Sequence, residues 1–397
     1  MKHNKSKLWI IIVIVSLNSI GMSIVLPLLP FIVGKYLPSQ HIAAGMGMLM
    51  SVFAASTFFS APVMGALSDK YGRKPILVIS LLGSVIGYVL FGIGGSLWVL
   101  FLGRIIDGLT AGNITALFAY ISDSAEPKER AKWFGYVGAA MGIGKIGGPA
   151  IGGLLGSISI GLPFFITAGL ILLSMFAVLF ALPESLAPEK RNKHLTARSF
   201  NAFAHFKDIF SLGAVKSVLI IGVLFYVGLS IFQFNFTLFL KDSYNLGPAT
   251  IGSILTIAGI CEIASRAFLL PRLLTRFNEK SIAIIGLTCL GTGLGLIMAS
   301  AYIHSITIIL FAIILIISGE GLFEPTYMDK LSQSVDENKQ GKLQGVNQSL
   351  QSANNVFVPL VAAAIYFISA GMLYGIAALA IFSAFLMYKR TLKTNLV

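Results

Sequence analysis

Gly65-Ala66-Leu67-Ser68-Asp69-Lys70-Tyr71-Gly72-Arg73-Lys74-Pro75 lies between two long apolar runs, and its reading decides how the rest of the chain is read. The pattern is G-x-L-S-D-x-x-G-R-K-P. Gly65 allows one helix end to pack closely, and Gly72 permits the chain to reverse. Asp69 is placed to cap or pair near a helix end. Arg73 and Lys74 hold such a turn on the cytoplasmic side of a membrane. By residue type alone this is either an ordinary basic loop or a built turn whose charges pair in one conformational state.

The two flanking runs belong to a series. The 397-residue chain is 56% hydrophobic and 11% charged, with a mean hydropathy of +0.86. A soluble domain carries about a quarter charged residues. Apolar segments fall near 8–33, 43–67, 75–96, 98–121, 132–156, 160–182, 212–239, 248–271, 281–302, 306–328, 342–367 and 370–388. A helix needs roughly 20 such residues to cross a bilayer, so the expectation is an all-α membrane protein of twelve spans. Residues 1–7 are polar and basic, but the apolar run after them reaches Phe31. That is too long for a signal-peptide core, and no cleavable signal is expected. Cys261 and Cys289 fall inside expected spans and do not indicate a disulfide framework.

A net charge of +13 invites a nucleic-acid reading, but location argues against it. Of the 29 Lys and Arg, the side of the N-terminus, the even-numbered loops and the C-terminus holds 24. The opposite side holds two, Lys35 and Lys241, and three more lie within spans: Arg104, Lys145 and Arg266. This split follows the positive-inside rule, so both termini are expected in the cytoplasm, with the basic excess facing anionic headgroups of the inner membrane.

The longest polar stretch, 183–210, contains Lys190, Arg191, Lys193 and Arg198. It divides the chain into a six-helix half at 1–182, a basic cytoplasmic linker, and a second half at 211–397. The halves look related. Gly65 to Pro75 can be laid over Pro271 to Ser281, and Gly135 and Pro149 are spaced as Gly345 and Pro359. Two parallel halves about an axis along the membrane normal imply a central cavity and rocking between them.

Charges within spans mark candidate chemistry, because each costs at least about 2.5–3.5 kcal/mol at mid-span unless it faces protein or water. Arg104 and Asp107 share a face of the fourth span and can pair, as a coupling site or as a structural ion pair. Glu262 and Arg266 stand i, i+4 on the eighth. Glu320 and Glu324 stand i, i+4 on the tenth, where two like charges do not both ionise comfortably, and this suits a proton carrier. Glu324, just before Pro325, is alternatively a solvated residue at a helix break. In the fifth span, Gly144-Lys145-Ile146-Gly147-Gly148-Pro149-Ala150-Ile151-Gly152-Gly153 supplies small residues for close packing and a bend at Pro149, with Lys145 in its midst. Phe232, Phe236 and Phe239 form a stripe on the seventh span, read as facing lipid or another helix rather than a cavity. His304 carries no expected role. The chain shows no phosphate-binding G-x-x-x-x-G-K-[ST], no metal-ligand cluster and no enzyme signature, so neither ATP nor a cofactor is expected.

The Gly65–Pro75 stretch resembles the signature loop between the second and third spans of the major facilitator superfamily. Arg104 in Gly103-Arg104 resembles that superfamily's fourth-span arginine, and the Gly148-Pro149 motif resembles the one that marks its antiporter branches. With Ala119-Tyr120-Ile121-Ser122-Asp123, Glu129-Arg130-Ala131, Pro163-Phe164-Phe165, Leu182-Pro183-Glu184-Ser185 and Gln340-Gly341-Lys342-Leu343-Gln344-Gly345, the chain resembles twelve-span drug–proton antiporters such as the tetracycline–proton antiporters. The resemblance implies a proton-coupled exporter of small organic molecules working by alternating access, a monomer whose partners are substrate, protons and lipid. With the charges within spans, the expected proton-coupling set is Glu320, Asp107, Arg104 and Glu262. The expected substrate cavity includes Asn18, Lys145, Arg266, Glu324 and Asn355. The resemblance implies a conformational gate of Asp69, Gly65, Gly72, Arg73, Asp123, Arg130, Gly148 and Pro149. Asn18 stands where that family has a first-span carboxylate, so the proton is expected elsewhere, with Glu320 preferred and Asp107 second. Arg104, Lys145 and Arg266 together suit a second cargo, an anion such as a siderophore, carried in either direction. A membrane sensor on the same scaffold would carry a signalling domain or long tail, and the short polar ends here do not suggest one.

Overall fold

The computed structural model describes residues 5–111, 113–126, 129–191, 215–335 and 340–394. Among them every regular element is helical. In chain order the α-helices are α1 Lys5–Val33, α2 Ile42–Tyr71, α3 Arg73–Ile93, α4 Leu97–Leu109, α5 Asn113–Ser124, α6 Arg130–Ile158, α7 Leu162–Ala181, α8 Lys216–Tyr244, α9 Pro248–Ala264, α10 Leu270–Leu274, α11 Glu279–Ile303, α12 Ile306–Ser332, α13 Gln340–Ile368 and α14 Ala370–Thr394. Ten segments of the described residues are long and apolar enough to cross a bilayer, one of them the joined α9–α10. The glycine-rich α6 and the paired α4–α5 account for the other two expected passes. Most of the expected linker, residues 192–210, lies outside the described residues.

The expected fourth span, 98–121, is two helices rather than one. Thr110 leaves helical geometry at φ −99° and ψ 0°. Opened carbonyls in a bilayer must find donors, and side-chain hydroxyls supply them here. Ser60 Oγ donates to Gly108 O at 2.8 Å, Thr110 Oγ1 to Ile106 O at 2.8 Å, and Ser80 Oγ to Thr110 O at 2.5 Å. Apolarity alone does not reveal such a break.

Contacts divide the chain into two compact units. One comprises Met1–Tyr36, Val52–Ala202 and Gly247–Thr256; the other Leu37–Ser51, Phe203–Leu246 and Ile257–Val397. In the first unit α1 packs along α6, and α3 along α7 and α4. The α1–α6 seam is glycine-lined: a Cβ on Gly148 would stand 2.7 Å from Ile20 O, and one on Gly152 2.8 Å from Ile24 O. Backbones approach this closely only where side chains are missing. In the second unit α11 packs between α12 and α14, and α8 on α13 and α14. Gly319 fits against Gly286 O, and Gly293 against Ala312 O.

A tight crossing of the same kind occurs once within each unit. In the first, a Cβ on Gly252 of α9 would stand 2.8 Å from Gly153 Cα of α6, near the Pro149 carbonyl. In the second, a Cβ on Gly47 of α2 would stand 2.6 Å from Pro359 O and 3.0 Å from Ala363 Cβ of α13. Pro149 and Gly153 thus correspond to Pro359 and Ala363.

Candidate functional site

The Gly65–Pro75 stretch folds into almost continuous helix. α2 runs through Tyr71, α3 starts at Arg73, and Gly72 alone makes the reversal at φ +109°. That conformation favours glycine. Arg73 joins the turn to the end of the fourth span: its Nη1 donates to Asp69 Oδ1 at 2.5 Å and Ser68 Oγ at 3.1 Å, and its Nε to Asp123 Oδ2 at 3.1 Å. Four expected gate residues, Asp69, Gly72, Arg73 and Asp123, therefore meet. Two do not join them. Gly65 lies inside α2 with open space where a Cβ would stand, so it serves no close packing here. Arg130, exposed at the start of α6, forms no ion pair with Asp69 or Asp123 among the described residues.

Glu184 is the residue that residue-by-residue reading missed. Its carboxylate accepts from Arg73 N at 2.8 Å and Lys74 N at 3.1 Å, and from Ser185 N and Leu186 N at 2.9 and 3.0 Å. An anion at a helix N-terminus satisfies open donors and complements the helix dipole. The Leu182-Pro183-Glu184-Ser185 motif carried the signal, but its spacing to Gly72 gave no pairing.

A second cluster lies within α3 and α4. Arg104 is 7% exposed and sits between two rings, 5.1 Å from the Phe53 centroid and 4.7 Å from that of Phe91. Its Nη1 is 3.9 Å from Asp107 Oδ2, while Asp107 Oδ1 accepts from Ser84 Oγ at 2.7 Å. Arg104 Nε is buried without a hydrogen-bond partner, beside a small void lined by Val25, Gly87, Tyr88 and Gly103.

The third cluster belongs to the second unit. Immediately after α9, Ser265–Leu269 forms a π-turn carrying Arg266. Its Nη2 lies 2.5 Å from Glu324 Oε2, 3.3 Å from Glu262 Oε1 and 3.9 Å from Glu320 Oε1. Tyr226 of α8 donates its hydroxyl to Glu324 Oε1 at 3.4 Å. The Glu262–Arg266 pairing follows from i, i+4 spacing. The convergence with Glu320 and Glu324 does not, since it joins residues far apart in sequence. Glu324 is no mere solvated cap; it makes the shortest contact to the guanidinium.

The remaining candidates separate. Asn18 is buried and donates to Ile14 O of its own helix at 2.9 Å. Lys145 is exposed, next to Gly144, which faces Ser19 of α1. Asn355 is exposed, whereas the neighbouring Asn354 is buried and donates to Tyr226 O at 3.2 Å and Ser230 Oγ at 2.6 Å. Phe232, Phe236 and Phe239 are buried core, with the first two rings 4.7 Å apart. His304 closes α11 in the left-handed conformation at φ 55°. Cys261 and Cys289 are free thiols.

Long apolar helices with charged clusters inside their spans define a multi-pass membrane protein. The chain belongs to the Major Facilitator Superfamily, whose family model matches residues 11–359. It is 32% identical over 377 residues to the class C tetracycline resistance protein of Escherichia coli, covering 95% of this chain and 93% of that one. It is 33% identical to the class H tetracycline resistance protein of Pasteurella multocida, over 91% of this chain and 89% of the other. It is 28% identical to multidrug resistance protein 2 of Bacillus subtilis, over 86% and 84%. Among solved structures the fold resembles a D-xylose–proton symporter, with TM-score 0.76, 15% identity and 96% coverage of each chain. It also resembles the human organic anion transporter MFSD10, with TM-score 0.70, 17% identity, and coverage of 98% of this chain and 100% of that one.

Proposed function

We propose that the chain is a proton-coupled antiporter that exports small organic molecules across the bacterial inner membrane, with both termini in the cytoplasm. Its two sequence halves would alternate access by rocking, with Asp69, Arg73 and Asp123 pairing in one of the states. Relatives named for tetracycline and multidrug resistance support the export reading.

One observation carries the coupling. A single guanidinium, Arg266, meets three carboxylates, Glu262, Glu320 and Glu324. With all of them ionised, three like charges would crowd one guanidinium inside a membrane, at a cost that disfavours the fully ionised state. A proton on one carboxyl removes that cost. Glu320 is the best placed, because its side chain is 5% exposed and it stands farthest from Arg266. Asp107 is the second candidate, held by Ser84 and more loosely by Arg104. The anionic cargo loses its main support, since Arg104 and Arg266 both have carboxylate neighbours.

The test is transport into proteoliposomes under an imposed pH gradient, screening tetracycline and a panel of organic cations and anions. Glu320→Gln is expected to abolish uphill transport while keeping downhill exchange. Proton-driven accumulation that survives in this variant moves the carrier to Asp107. Transport of the panel that ignores the gradient rejects proton coupling altogether.

A further inference from the structure

The second half carries its own copy of the Gly65–Pro75 turn, and the function proposed above makes no use of it. Laying Gly65–Pro75 over Pro271–Ser281 offsets the chain by 206 residues. The same offset sets Thr275 at Asp69, Asn278 at Gly72, Glu279 at Arg73, Lys280 at Lys74 and, beyond the turn, Asp329 at Asp123. Both turns join two helices, but their chemistry differs. Asn278 replaces the positive-φ glycine and caps α11 itself, its Oδ1 accepting from Ser281 N at 2.8 Å. Thr275 donates its hydroxyl to Arg272 O, within its own turn, at 2.7 Å.

Where Arg73 meets Asp123, Glu279 meets Asp329. The two side chains, at the start of α11 and in the last turn of α12, are hydrogen-bonded to each other. Ionised carboxylates only accept hydrogen bonds, so this contact needs a proton on one of the two. Gln333 Nε2 donates to Asp329 Oδ2 at 2.6 Å, which favours the ionised form of Asp329 and places the proton on Glu279. Among the described residues, no Lys or Arg forms an ion pair with either carboxyl. Tyr388 of α14 faces both. Lys280 and Lys330 adjoin them in sequence, Arg276 ends the preceding turn, and Lys389 and Arg390 follow Tyr388. With both carboxyls ionised, like charges repel at the contact and the tie is lost. The Arg73–Asp123 pair has no such dependence on its cation, because a guanidinium stays charged.

We propose that Glu279 and Asp329 form a proton-dependent counterpart of the Arg73–Asp123 pair, tied while they share a proton and parted when both ionise. Acidity on the side where this turn lies then steadies the second-half turn and leaves the first-half pair as it was. In the proton-coupled exchange proposed above, on which this consequence rests, protons delivered to the cytoplasm would bias one half of the transporter alone.

The experiment is hydrogen–deuterium exchange over the first two turns of α11 in the purified full-length protein, without substrate, at pH 5 and pH 8. Each variant is compared with the parent at the same pH, which cancels the intrinsic dependence of exchange on pH. Glu279→Gln and Asp329→Asn each supply an amide donor that ties the pair at either pH. Both positions are exposed, so both variants are expected to melt with the parent. At pH 8 the parent is expected to exchange faster than either variant, by up to about fivefold, the range of an exposed pair. At pH 5 all three should exchange alike. The variants change the charge at the α11 N-terminus differently, since only Glu279→Gln removes it there. Slower exchange in one variant alone is therefore a helix-end charge effect and overturns the inference. A parent-to-variant ratio that is the same at both pH values also overturns it. Either result leaves the proton-coupled reading standing, since the Glu320→Gln transport test decides that separately.

Discussion

Glu184 gathers four backbone N–H groups on one carboxylate, two from the start of α3 and two from its own turn. Asp69, by contrast, is 54% exposed and, among the described residues, pairs with Arg73. The two acids should therefore fail differently. Losing a cap costs about 0.5–2 kcal/mol, and Glu184→Ala leaves several donors open at once, so its melting temperature is expected to fall by a few degrees. An exposed ion pair is worth about 0–1 kcal/mol, so Asp69→Asn should melt with the parent yet transport more slowly, because its pair would belong to one conformational state. Thermal melts and transport rates on the same preparations separate the two. Equal transport by Asp69→Asn and the parent rejects the gate. At this scale the sequence was partly readable. The i, i+4 spacing exposes Glu262 beside Arg266, and a positive-φ glycine at position 72 follows from its place between two helices. Nothing local ties Glu184 to Gly72 or Arg266 to Glu324, since those pairings exist only after distant helices pack.

Long apolar runs reveal helices but not how their winding is interrupted. The break at Thr110 is invisible to hydropathy, because its exposed carbonyls are satisfied by Ser60, Ser80 and Thr110 hydroxyls scattered over three helices. Pro271 reads in sequence as the end of a span, whereas the structure continues the helix to Leu274 and pays with a π-turn. The glycine crossings are more legible, since the spacing of Pro149 and Gly153 recurs in Pro359 and Ala363. Their closeness gives an expected outcome. Gly47→Leu must displace the Pro359 carbonyl, and Gly252→Leu the Gly153 backbone, at about 1–3 kcal/mol each for overpacking. Gly65→Leu, which meets open space, should cost little. Melting temperatures of the three variants check the ranking, and a Gly65→Leu protein as destabilised as the other two contradicts it.

Across the whole molecule, the charge asymmetry and twelve apolar passes made the fold class readable before any coordinates, because a bilayer admits few architectures. Neither compact unit is a contiguous length of chain, however. The first is completed by Gly247–Thr256 and the second begins with Leu37–Ser51. Synthesis runs from the N-terminus, so this interleaving imposes an order on assembly. When α6 emerges, its Gly153 groove has no occupant until more than ninety further residues have been made. The segment around Gly47 waits longer still, for Pro359 near the end of the chain. A nascent chain therefore carries an unfilled groove in the lipid for most of its synthesis, and two between the emergence of α6 and of α9, so that one of the last helices inserted locks one of the first.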